Sequence, residues 1–236
     1  MAEDGVFTEA WVREFARSVA ACESELTALD QLAGDGDFGV NLRSGLVAAV
    51  GVLDRGTADG RAAVPRRPRA AHEPLRVLAT AFLDEVGGTS GPLFGLLFQE
   101  LAAAARADGP RLTTHALAVG TGRGLAAIRR VGGAAPGDKT LLDALHPAVL
   151  ALAACPAPTP PVRALDRASV TAWDGVRRTA GRSARRGRAS YLGERAAGVP
   201  DPGAVGVALF LTTAVRPVTV LAPFLKAAGA PVSGRP

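Results

Sequence analysis

Phe7, Trp11, Phe15 and Val19 recur every fourth residue. That is the spacing of one face of an amphipathic helix, and it predicts a first helix opening near Thr8. The apolar period breaks at LDQLAGDGDFG, residues 29–39, and resumes in a second predicted helix over 40–53. Further helical patterns cover about 74–86, 91–107 and 113–131, and another begins at Thr140 and stops before Pro156. CPAPTPP ends that one, because proline lacks a backbone N–H and fixes φ. Leu165, Trp173, Val176 and Ala180 mark a seventh helix. Asp201-Pro202 reads as an N-cap followed by proline at the first helical position, opening an eighth that Pro217 kinks or ends. No stretch shows the alternation of a strand, and no internal repeat is visible. About eight helices with short connections predict an all-α fold, an antiparallel bundle or barrel. The reading is one domain over 1–236, with an exposed basic loop at 55–73 and a flexible tail at 229–236.

Composition supports this picture. The chain has 236 residues, 48% of them hydrophobic, enough for one sizeable core. Aromatics are few and Ala, Leu, Arg and Gly common, a helical bias. The formal charge is +5, gathered in two clusters, Arg61 to Arg69 and Arg177 to Arg188. Neither is interleaved with exposed aromatics, so nucleic acid is not the expected partner. The arginines from Arg177 to Arg186 read as a solvated helix face, with Arg182 and Arg185 available to dock an acidic partner. Cys22 and Cys155 have no metal-type spacing and read as buried reduced thiols. The N-terminus MAEDGVFTEAW is not a signal peptide, and the longest apolar run, 203–215, is too short to span a bilayer. The expectation is a cytoplasmic protein. Trp11 and Trp173 are expected in the core, and His72, His115 and His146 in ordinary structural positions.

Glycines cluster at four predicted helix junctions: GDGDFG at 34–39, GGTSG at 87–91, GGAAPGDKT at 132–140 and GRASYLGER at 187–195. A helix end needs one glycine as a cap. Clusters let the backbone approach a ligand and turn N–H groups toward an anion. Ser90 and Gly91, opening a helix, form a phosphate seat, since the first N–H groups of a helix lack partners. No GxxxxGK[ST] motif occurs. Asp30, Asp35 and Asp37 crowd three carboxylates into eight residues. Either a solvated acidic turn or a divalent cation explains them. The spacing is not that of an EF-hand, and Mg²⁺ characteristically combines a few carboxylates with substrate phosphates. Asp138-Lys139-Thr140 admits both a catalytic and a capping role.

The blocks LDQLAGDGDFGVNLRSG, GGTSGPLFG, GDKTLLDAL and GRASYLGERAAGVPDPGA resemble, in order, four blocks of the L subunit of dihydroxyacetone kinase. They span Leu29 to Ala204. The resemblance implies an eight-helix barrel binding ADP or ATP at one end through Mg²⁺, with two ions expected. It places the metal on Asp30, Asp35 and Asp37. It places nucleotide contacts on Phe38, Gly39, Val40 and Asn41, on Thr89 and Ser90, on Gly132 and Leu141, on Arg188, and on Asp201, Pro202 and Gly203. The three aspartates and Arg188 would carry phosphoryl transfer. Many relatives have histidine where this chain has Phe38, which cannot donate a hydrogen bond from its side chain. The resemblance also implies that the hydroxyacetone substrate sits on a separate K subunit. A phosphotransferase-system M subunit is the expected phosphate donor, with free ATP the alternative. A homodimer is compatible with it. A kinase half for another sugar or polyol, and a regulatory nucleotide-binding partner, are the other readings.

Overall fold

The computed structural model describes residues 4–58, 70–186 and 197–226. The described residues form helices and connections, with no strand among them. The helices are α1 (Gly5–Ala33), α2 (Phe38–Ala58), α3 (His72–Asp84), α4 (Ser90–Asp108), α5 (Thr114–Gly132), α6 (Leu142–Ala153), α7 (Pro161–Ala180), α8 (Pro202–Thr213) and the single turn α9 (Ala222–Leu225). Each of the first eight packs on its sequence neighbours, and α8 returns to α1. The ring is therefore closed.

Its centre is a chain of aromatic rings. Phe210 of α8 stacks on Trp11 at 4.4 Å between centroids and meets Phe15 at 5.2 Å and Phe98 at 4.9 Å. Phe98 passes the contact on to Phe82 at 5.1 Å. Apart from Gly203, α8 is buried along its whole length, as a helix apolar on every side must be. Both tryptophans are in the core, as expected, and each indole N–H finds an acceptor: Trp11 donates to the Phe210 carbonyl at 2.7 Å and Trp173 to the Thr212 hydroxyl at 2.9 Å.

Several boundaries differ from the sequence reading. Helix α1 starts at Gly5, because the Asp4 carboxylate accepts the Val6 N–H, and it runs on through LDQLA to Ala33. Asp30 is thus on a helix rather than in a loop. Helix α2 continues to Ala58 and α3 starts at His72, so both ends of the predicted 55–73 loop are helical. The rest of that loop, 59–69, and the predicted tail lie outside the described residues. Helix α8 ends at Thr213, ahead of Pro217, where the N–H groups of Val215 and Arg216 turn back to the Thr212 carbonyl. Cys22 is buried, Cys155 only half-buried, and both are free thiols.

In a ring of sequential up-and-down helices, odd-to-even connections share one pole and even-to-odd connections the other. Contacts agree. The Ala71 N–H, before α3, donates to Pro110, before α5, at 2.9 Å, and Thr114 donates to Thr159, before α7, at 2.6 Å. Three of the four glycine clusters, at 34–39, 87–91 and 132–140, fall on odd-to-even connections, and so at the opposite pole, and the fourth, 187–195, lies outside the described residues. After α8 the chain climbs back along α1 toward that pole. The Ser18 hydroxyl accepts the Val218 N–H at 3.0 Å, and the Glu25 carboxylate accepts the Leu221 N–H at 3.1 Å. Phe224 then stacks on Trp173 at 4.8 Å.

Candidate nucleotide and metal site

A cleft opens at the glycine-rich pole, and every odd-to-even connection contributes to it. The α1–α2 turn supplies Asp30, Asp35, Asp37, Phe38 and Asn41, the α3–α4 turn Thr89 and Ser90, and the α5–α6 loop Lys139, Thr140 and Leu141. The last connection supplies Arg186, Asp201, Pro202 and Gly203.

Asp30 occupies a core position of the α1 stripe, one turn after Leu26, and is buried. A carboxylate in the last turn of a helix opposes the helix dipole. Asp30 is offset locally by the Phe38 N–H, the first of α2, which donates to its Oδ2 at 3.0 Å. The turn between the helices is tight enough to need glycine. A Cβ on Gly34 would stand 2.3 Å from Asp30 Oδ1, and Gly36 has φ +80°, where L side chains are rarely found. The turn brings one carboxylate oxygen each from Asp30, Asp35 and Asp37 within 4.8 Å of one another. At that separation each charged pair repels by about 1 kcal/mol in water and about 3 kcal/mol at the dielectric of a protein surface. Three hard oxygens converging on one point, two of them reaching the surface, match the donor set of Mg²⁺.

Phe38 settles on the core side. Its ring is buried and lies 6.1 Å from Phe94. At this position the chain places an apolar wedge and leaves the backbone N–H to Asp30. Two residues of the same predicted segment lie outside the cleft lining. Gly39 faces α1, where a Cβ would meet Thr27 Oγ1 at 2.5 Å and the Glu23 carbonyl at 2.6 Å, and Val40 projects into solvent at 50% exposure. Gly132 also lies outside the lining, at the end of α5 with no neighbour within 4 Å of a built Cβ. Thr89 caps α4 without a side-chain hydrogen bond, leaving the first N–H groups of α4 at the cleft as an anion seat. Arg188 falls outside the described residues.

Sequence reasoning left Lys139 between a catalytic and a capping role, and it passed over Arg186 as a cleft residue and Asp143 as an organising acid. Arg186 lines the cleft. Lys139 is 1% exposed, and burial lowers its pKa from the ordinary lysine value. Asp143, also buried, accepts the N–H groups of Gly137 at 2.7 Å and Thr140 at 2.9 Å and pairs with the Arg182 guanidinium. The Thr140 hydroxyl in turn accepts the Leu142 N–H at 3.3 Å. This T-x-x-D arrangement is a variant of the capping box and was legible as such. The Arg182 charge, which the sequence offers to an acidic partner, meets Asp143 within the chain.

Asp201 caps α8, accepting the Ala204 N–H at 2.7 Å, and its own N–H donates to Thr179. Burial pushes its carboxyl up to about 7, against the lowering effect of the Ala204 hydrogen bond. The sign follows from linkage. Between the ordinary aspartate range and about 7 the folded state holds a proton that the unfolded state has lost, so this group's contribution to stability falls as pH rises through that window. The limit is about 1.4 kcal/mol per pH unit. Asp201→Asn is expected to flatten the fall, so that the difference in melting temperature between variant and wild type grows from pH 5 to pH 7. A difference independent of pH would show that Asp201 titrates normally.

Comparison with known proteins agrees with this geometry. The model of the DAK2 domain matches residues 32–216. The chain belongs to the DAK2 domain family. The ADP-binding subunit DhaL of a PEP-dependent dihydroxyacetone kinase from Listeria innocua is 30% identical over 199 residues, covering 84% of this chain and 89% of that subunit. An L-erythrulose 1-kinase from Mycolicibacterium smegmatis is 35% identical over 210 residues, 84% of this chain. The DAK2 domain described here spans only 35% of that kinase's length. The dihydroxyacetone kinase of C. freundii, solved in complex with AMP-PNP and Mg²⁺, has the same fold, with a TM-score of 0.64 at 23% identity over 90% of this chain and 34% of that one. No helix among the described residues of this DAK2 domain is long and apolar enough to cross a membrane.

Proposed function

We propose that this chain is the nucleotide-binding, phosphoryl-transferring part of a dihydroxyacetone-type kinase. The observation that carries the reading is the convergence of Asp30, Asp35 and Asp37 at one corner of a cleft built from all four odd-to-even connections. The three aspartates would hold Mg²⁺, as one or two ions, and ADP or ATP would lie across the cleft. Bound there, the metal draws charge off the phosphate oxygens. The chain's own groups do the positioning. The free N–H groups at the start of α4, beside Thr89 and Ser90, receive phosphate oxygens. Leu141, Pro202 and Gly203 offer an apolar wall for the base. Arg186 and, from the segment outside the described residues, Arg188 add fork-shaped donors suited to phosphate. Positioning and electrostatic stabilisation account for most of what such a site must do.

The hydroxyketone would be held by a separate K subunit docked over the cleft, so the chain is half of a catalytic unit. The Listeria relative, named as PEP-dependent and ADP-binding, favours bound ADP recharged by a phosphotransferase-system M subunit. The Mycolicibacterium relative, 35% identical, favours a second reading in which the acceptor is a four-carbon ketose and the donor free ATP. Gly39, Val40 and Gly132 belong to the same reading as backbone contacts near the nucleotide.

Calorimetry of ADP and ATP binding with and without Mg²⁺ tests the shared core. Mg²⁺-dependent binding supports it, and none in a folded protein overturns it in favour of a regulatory or scaffold role. Turnover with K subunits on dihydroxyacetone and on erythrulose then separates the two acceptors, and dependence on an M subunit separates the donors.

A further inference from the structure

Ion pairs near a protein surface contribute little, because water serves both charges nearly as well. Among the ion pairs of the described residues, that of Arg182 with Asp143 is the one whose acid is buried, with its side chain 2% exposed. Its two members are 39 residues apart. The Asp143 carboxylate is already held without Arg182. One oxygen accepts the Gly137 N–H and the other the Thr140 N–H, which suffices to turn the loop into α6. The guanidinium adds a tie to a different segment, and an arginine held in one geometry gives up rotamer freedom to make it. Two further bonds join the same segments. The Lys139 Nζ donates to the Arg182 carbonyl at 3.1 Å, and the Arg185 N–H donates to the Asp138 carbonyl at 3.1 Å. Residues 182–186 belong to no helix, so these contacts anchor them to the α5–α6 loop.

We propose that the Asp143–Arg182 pair aims Arg186 at the nucleotide phosphates. Both anchored segments reach the cleft, the loop with Lys139, Thr140 and Leu141 and the other segment with Arg186. Arg182 itself is outside the cleft lining, four residues before Arg186, so it is a positioning residue. The Arg186 guanidinium pairs with no carboxylate among the described residues, and its direction is therefore set by the backbone that carries it. A fork-shaped donor grips phosphate well only from the right distance and angle. Holding residue 182 by its side chain and residue 185 by its N–H leaves little of the segment free to move except the Arg186 side chain.

The inference rests on the nucleotide reading, and the experiment separates the two. Mg²⁺–ADP binding is measured by calorimetry for wild type, Arg182→Met, Arg186→Met and the double variant. A wild type that does not bind sinks the nucleotide reading and the proposal with it. With wild type binding, each single variant is expected to weaken ADP by about tenfold or more, the worth of one charge-assisted hydrogen bond. The double variant is expected to bind as weakly as Arg186→Met alone, within about twofold, because Arg182 acts only through Arg186. Unchanged binding in either single variant overturns the proposal and leaves the nucleotide reading standing. So does a double variant whose loss is the product of the two single losses, since a pair that merely holds the fold would act independently of Arg186. Arg182→Gln replaces the methionine variant if that one does not fold. Failure of both to fold would make the pair structural and overturn the proposal as well.

Discussion

Alanine at Asp35 is expected to abolish Mg²⁺-dependent ADP binding and, without metal, to leave the protein slightly more stable. Both effects come from the same geometry. Asp35 is exposed and one of three carboxylates with oxygens within 4.8 Å. Loss of a direct metal ligand should cost at least the roughly 100-fold seen for groups one shell further out. Without metal the same carboxylate repels its two neighbours, by about 1 kcal/mol per pair in water, a cost that its removal lifts, so the melting temperature rises by a degree or more. The opposite signs matter, because a residue placed for folding would lose stability when truncated. Calorimetry and thermal melts with and without Mg²⁺ read both. Retained Mg²⁺-dependent binding in Asp35→Ala would mean that the aspartates are a solvated turn after all.

The largest effect on stability is expected at Phe210. Its ring touches Trp11, Phe15 and Phe98, from α1 and α4, at the seam where α8 closes on α1. Truncating a buried phenylalanine costs about 3–5 kcal/mol, since the cavity left behind collapses only partly. Three rigid aromatic walls leave little scope for collapse, so Phe210→Ala belongs at the upper end. Chemical denaturation measures it, and a loss under 1.5 kcal/mol would mean that the seam repacks. Because Phe210 lies in the core and not in the cleft lining, ADP affinity of the folded fraction should stay near that of wild type.

The helices were legible because most have one apolar stripe at the helical period. The end of α1 was not, and Asp30 is the reason. It stands in the core stripe after Cys22 and Leu26, so a reader of hydrophobic period sees the stripe stop where the helix goes on. The signal that hid the helix is the one that marks the site. Lys139 was obscure for a related reason. Nothing local distinguishes a buried lysine from a solvated one, since the Arg182 carbonyl that its Nζ meets lies far along the chain. The glycine clusters were legible as ligand loops, but not which glycines face the ligand. Gly39 serves the contact between α1 and α2, a use visible only once the helices are packed. Phe38 shows the converse. Its departure from the family pattern was plain, and the structure gives it a place, against Phe94 and on the core side of the cleft.

The closure of α8 on α1 also bears on how the protein can be made. Trp11 waits for Phe210, Ser18 for Val218 and Glu25 for Leu221, contacts separated by nearly the whole described chain. During synthesis the first helix leaves the ribosome long before its partner exists, with its aromatic face unpaired. A nascent chain halted before α8 is an open arc lacking its axle, not a smaller domain. Such chains are the ones that need a chaperone. The cleft, whose last wall begins at Asp201, is complete only when α8 arrives, so an unfinished chain has no assembled place to hold a nucleotide.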